Sequence, residues 1–127
     1  MFLFRRFFRG GHREAWAKKV SAAEASAVRD HLVRLHREFE KRHSFKVGEL
    51  VQWKAQMRVR LLPRYGEPAV VVATLEQPIF DKAAEDSGSP FFREPLDLAL
   101  GVIDNYNDFV IFYFDSRRFE PFQSSGR

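Results

Sequence analysis

Residues 45–54 read FKVGELVQWK. An aromatic is followed three positions on by a glycine, then an acid, then apolar and polar residues in alternation. A period of two is the mark of a strand with two unlike faces. Glycine at position 48 permits a sharp entry turn that a residue with a Cβ resists. Before this stretch the apolar period is helical, and after it the period is two. The stretch therefore divides the chain into a basic helical element over 1–44, a β body over 45–122 and a short tail over 123–127.

Working upstream, residues 21–24 read SAAE. Ser21 and Glu24 have the spacing of a capping box, in which each side chain accepts from the other residue's backbone N–H. The segment that follows has no Gly or Pro, and Ala25, Val28, Leu32, Leu35 and Phe39 form one apolar stripe. A helix over 22–42 is expected, roughly 30 Å long. Its last turn carries Lys41, Arg42 and His43, which suit the negative end of the helix dipole. A shorter helix is expected over 12–20, with Trp16 and Val20 one turn apart.

Working downstream, Leu50, Val51 and Trp53 open the first strand. In QMRVRLLP (56–63), Met57, Val59 and Leu61 alternate with Arg58 and Arg60, the pattern of a strand with one basic face. AVVVATL (69–75) is apolar enough for a buried strand. Residues 81–95 have loop chemistry, LDLALGVI (96–103) alternates again, DNYND (104–108) is turn-rich, and FVIFYF (109–114) is strongly β-prone. DSRRFEPF (115–122) is expected to wrap back over the body, with Phe119 and Phe122 as plugs. The fold class implied is α+β: an N-terminal helix or helix pair, then a five-stranded antiparallel β-barrel.

Phe45, Gly48, Glu49, Val51 and Lys54 resemble the F-x-x-G-D-x-V-x-x-K opening of SH3-like barrels. That opening is shared by the nitrile hydratase β-subunit family and by the small hemimethylated-DNA-binding, heat-shock-related family. Leu62-Pro63-Arg64-Tyr65 is similar to the L-P-x-Y run that follows in the nitrile hydratase-like barrels. The chain departs from the pattern at Glu49, where Asp is usual, and after Tyr65, where Gly66 alone stands for a glycine-rich turn. The resemblance implies an SH3-like barrel and brings no catalysis with it. In the nitrile hydratases the metal-bearing thiolates lie on the other subunit, and this chain has no cysteine.

Composition sets the exclusions. Without cysteine there is no disulfide, thiolate zinc site, iron–sulfur cluster or cysteine nucleophile. That usage fits a reducing compartment, so a cytoplasmic location is expected. No apolar run approaches the roughly 20 residues that span a bilayer, and MFLFRRFF at the start is a poor secretion signal. There is no P-loop, dinucleotide fingerprint or G-x-S-x-G. His36, Glu40 and His43 share a helix face, but di-metal sites of the E-x-x-H type draw carboxylates from several helices. No catalytic residue, metal or cofactor is expected, and the chain is read as a non-enzyme.

Two binding functions remain. Residues 1–46 hold 12 Lys/Arg and 5 Asp/Glu, while 47–127 hold 9 and 12, so a basic element adjoins an acidic body. Either the two halves attract each other and stay soluble, or the basic part meets an acidic partner. Fourteen phenylalanines exceed what so small a core accepts. Phe91, Phe92, Trp53, Tyr65 and Tyr106 are therefore candidate anchors for a protein partner. The alternative is a nucleic-acid surface made of Arg5, Arg6 and Arg9, interleaved with phenylalanines, and of Arg58, Arg60 and Arg64. The primary expectation is a small adaptor or accessory protein of the kind common in bacteria and their mobile elements. Its oligomeric state stays open.

Overall fold

Why the β period begins at Leu50 is visible in the turn before it. Gly48 has φ +94°, in the left-handed region, and its N–H donates to Val71 O at 2.8 Å. Glu49 closes the same turn by accepting from Lys46 N at 3.0 Å. The computed structural model describes residues 18–84, 86 and 88–124. It holds one α-helix and five strands among them: α1 (Ala22–Glu40), β1 (Leu50–Trp53), β2 (Ala69–Ile79), β3 (Leu96–Ile103), β4 (Phe109–Phe114) and β5 (Phe119–Pro121). The chain divides into two units within α1, residues 1–34 and 35–127.

In the first unit the capping box forms as its spacing predicts. Ser21 N donates to Glu24 Oε1 at 2.8 Å, and Glu24 N donates to Ser21 Oγ at 3.1 Å. These bonds hold the Glu24 carboxyl below its ordinary pKa, the backbone bond first. Most of the shorter helix expected over 12–20 lies outside the described residues, and Lys18–Val20 are not helical.

The second unit is an antiparallel sheet in the order β4-β3-β2-β1-β5. β1 to β4 form a meander, and β5 returns to pair with β1, setting Trp53 opposite Phe119. The 3-10 turn Ser116–Arg118 makes this return possible. Asp115 caps it by accepting from Arg117 N, and Ser116 is held by the Asp97 carboxylate through both its N–H and its hydroxyl. β2 takes up an irregularity at Val72 and another before Ile79, which lets an 11-residue strand bend over a shorter partner.

Two expectations need correction. The five strands do not close into a barrel: β4 and β5 are the two edges and do not pair with each other. Residues 57–61 are not a strand, although their alternation is perfect. Arg58 instead donates to Arg60 O and Leu61 O, and its own N–H donates to the Tyr65 hydroxyl, folding the segment on itself. The fifth strand is supplied by Phe119–Pro121, read from sequence as a plug. Phe119 is fully buried, and Phe122 is half-buried.

The core lies on one sheet face: Val51, Trp53, Ala69, Val71, Leu98, Leu100, Val102, Phe114 and Phe119. Phe45, Val59, Leu62 and Val110 close its margins. Phe119 stacks on Trp53 with centroids 4.3 Å apart and meets Phe114 edge-on at 5.2 Å. Phe119→Ala removes the ring that joins β1, β4 and β5. A loss of about 3–5 kcal/mol is expected, read as a lower midpoint in urea unfolding, with β5 losing amide protection before β2 and β3.

Candidate interaction face

The antiparallel register assigns every side chain of the meander to a face. Leu98, Leu100 and Val102 point into the core, and their partners Phe114, Phe112 and Val110 share that side. The alternate residues therefore form the opposite face: Ile103 beside Phe109, Gly101 beside Ile111, and Ala99 beside Tyr113. Val70 pairs with Gly101 and Leu50 with Val70, which carries the face across to β1. Leu50, Ile103, Phe109, Ile111 and Tyr113 are each between 43% and 58% exposed. Gly101 lacks a side chain where the Phe109 ring lies over the sheet, so the ring rests directly on the backbone. A Cβ at 101 would collide with that ring.

One end of this face carries the β3–β4 turn. The Asp104 carboxylate accepts from Tyr106 N and Asp108 N, both at 2.9 Å, and Asn107 takes φ 65°. This Asx-type turn pushes Tyr106 out at its tip, 85% exposed. At the other end Gln52 donates to Glu120 across the β1–β5 pair. The face is thus apolar in the middle with a polar rim.

The residues singled out from sequence fall in several places. Trp53 is 2% exposed, and its Nε1 donates to Pro63 O at 2.5 Å, so it is a core ring and not a contact residue. Tyr106 stands at the tip of the turn beside the face. Tyr65 is exposed under the Arg58 guanidinium, in the loop after β1. Phe92 is exposed, while Phe91 is half-buried beneath Arg60, whose guanidinium lies 4.0 Å from its ring centre.

The basic candidates are largely spent inside the fold. Arg60 pairs with Glu94 at 2.8 Å, and Arg118 approaches the same carboxylate at 3.9 Å. Arg58 is bound to loop carbonyls, and Arg64 is held by Glu67 through a backbone and a side-chain bond. Those bonds keep the Glu67 carboxyl below its usual range. Arg5, Arg6 and Arg9 lie outside the described residues. His36 meets Glu40 at 3.7 Å on the exposed helix face, and His43 stacks on Phe45. Among the described residues no three His, Asp or Glu side chains converge as a metal site would require.

Among the described residues Lys54 is the one buried cation, 2% exposed. Its ammonium donates to Glu38 O and to Lys41 O, the second at 2.7 Å. Glu38 O lies in the last turn of α1 and also accepts from Lys41 N at 3.3 Å, and Lys41 O lies just past the helix end. The Phe39 ring from the same turn lies under Arg117 at 4.4 Å and Arg118 at 5.2 Å.

Residue order alone did not single out Leu50, Ile103, Phe109, Ile111 and Tyr113 as a face. Their alternation is legible, but only the strand order shows that β4 is an edge and that its second row is uncovered by the sheet. Compared with protein-family models, with curated proteins and with solved structures, the chain matches none.

Lys54 yields a pH prediction. Burial strips water from its ammonium and lowers its pKa below 10.5, against the pull of Glu38 and Glu120. The unfolded chain then binds more protons between the two values, so stability rises with pH through that interval. Lys54→Met removes this rise and takes the ammonium donor from Lys41 O and Glu38 O, of which Glu38 O keeps its bond from Lys41 N, a loss of about 1–3 kcal/mol. Urea midpoints taken toward pH 10.5 should show the gap between wild type and Lys54→Met widening as pH increases.

Proposed function

We propose that this protein is a non-enzymatic adaptor that binds another protein through the apolar face of its meander. The observation that carries the reading is the row Leu50, Ile103, Phe109, Ile111 and Tyr113, close to half exposed on adjoining strands. Contiguous apolar patches of this kind, bounded by polar groups, are the usual mark of a protein contact. Tyr106 at the rim adds an aromatic of the type enriched at binding centres.

The body is an open five-stranded sheet whose layout is similar to an SH3-like fold. Three features support that reading: the Gly48 entry turn, the four-strand meander, and a 3-10 turn that sends β5 back to β1. Lys54, the last residue of the opening motif, closes the end of the preceding helix. The contact residues are those of the outer face together with Tyr106, and Phe92 and Tyr65 lie on loops apart from it.

The nucleic-acid alternative keeps little support in the body of the fold, because Arg58, Arg60 and Arg64 already serve carbonyls and carboxylates of the chain. The two readings separate cleanly. Full-length protein is used to capture partners from a native-type lysate, with and without nuclease. The Leu50→Glu/Ile103→Glu variant is expected to lose the partner at least tenfold, while Arg58→Glu/Arg60→Glu retains it and nuclease has no effect. Loss with nuclease and with the arginine variant, but not with the face variant, overturns the proposal in favour of nucleic acid.

A further inference from the structure

We propose that the free edge of β4 pairs with β4 of a second copy of this chain, antiparallel about a twofold axis at Ile111. The proposal does not depend on the adaptor reading, because it uses the backbone edge of the sheet and not the apolar face alone.

The two edges of the sheet are built differently. β5 is three residues long and includes Glu120 and Pro121, features that discourage a neighbouring strand. β4 is six residues, FVIFYF, with no charge, proline or glycine. Among the described residues it pairs only with β3. Such an edge offers a template for a further strand.

The hydrogen-bond alternation shows which groups are free. Asp104 N donates to Asp108 O at 2.9 Å, so these two residues face each other across the hairpin. Counting along the register, Val110, Phe112 and Phe114 then direct their N–H and C=O groups toward β3. Phe109, Ile111 and Tyr113 direct theirs to the free edge.

A twofold axis at Ile111 matches this set with itself. Phe109 lies opposite Tyr113 of the second copy, Ile111 opposite Ile111, and about six backbone bonds form across the axis. On the outer face the two Phe109–Tyr113 pairs flank the isoleucines. On the inner face Phe112 meets Val110. The same register sets Asp108 opposite Phe114 and Asn107 opposite Asp115, so no acid faces an acid. Sliding by two residues leaves part of the free set unpaired.

The area indicates the strength. Phe109, Phe112 and Tyr113 are 58%, 47% and 43% exposed. With about 150–250 Å² on each aromatic side chain, and Ile111 added, at most roughly 700–900 Å² of side-chain surface is there to be covered in the pair. That is below the standard interface of about 1,200–2,000 Å². The dimer is therefore expected to be weak and concentration-dependent.

Sedimentation velocity on the full chain from about 1 to 500 μM tests this. A monomer–dimer equilibrium is expected for the wild type. Ile111→Pro removes an N–H that points away from β3, so it spares the hairpin ladder while blocking the edge. Ile111→Lys places two like charges across the axis. Each is expected to weaken dimerisation at least tenfold with the circular dichroism spectrum unchanged. Should Ile111→Pro unfold the chain, Ile111→Lys decides. A wild type that stays monomeric throughout overturns the proposal, and so does a dimer that a folded Ile111→Lys leaves intact.

Discussion

The ring contact between Trp53 and Phe119 holds the architecture together. β1 is only four residues long, and β5 only three, so neither has enough backbone bonds to stand alone. Their side chains supply the rest. Trp53 is stacked on Phe119, both are edge-on to Phe114 from β4, and the indole N–H is satisfied by Pro63 O. One cluster thus joins the start of the meander, its end and the returning strand. The loop between β1 and β2 is tied to the same cluster through Pro63.

A second anchor sits one residue further along. Lys54 directs its ammonium onto the last carbonyls of α1, and Phe39 lies beneath Arg117 and Arg118. Arg117 is itself gripped by Asp115 through two nitrogens, which raises the guanidinium pKa above its ordinary value. The 3-10 turn that launches β5 is therefore also the seat for the end of the helix. Burial lowers the Arg118 pKa against the pull of Glu94, and its Nε is without a hydrogen-bond partner in the described structure. Arg118 Nη1 donates to Met57 O at 3.2 Å.

Much of this was legible from residue order. The Ser21–Glu24 box is a local device, as is the Gly48 turn, and both formed at the positions their spacing gave. β3 and β4 were bounded correctly because β-prone apolar runs between turn residues are a strong local signal. Residues 57–61 misled for a physical reason. Alternation describes side chains, whereas a strand needs a neighbour for its backbone, and here Arg58 and Tyr65 satisfied that backbone from within the loop. Phe119–Pro121 carried too short a pattern to be read as a strand, and its pairing with β1 depends on a partner nearly seventy positions away. Trp53 was misplaced because an excess of aromatics over the capacity of the core does not say which rings stay outside, and this one is buried.

The candidate face was hidden for a related reason. FVIFYF has no polar position, so its sequence suggests burial on both sides, as in a central strand. The strand order places it at an edge instead, with Phe114 in the core, Val110 at its margin, and Phe112 and the other row exposed. Such a strand carries more apolar surface than its position in the sheet can bury. The charges of the body do not compensate, because Arg58, Arg60, Arg64 and Arg117 are engaged by carbonyls or carboxylates near at hand. A strand whose exposed rows are apolar is suited to association through shape and backbone pairing rather than through long-range charge.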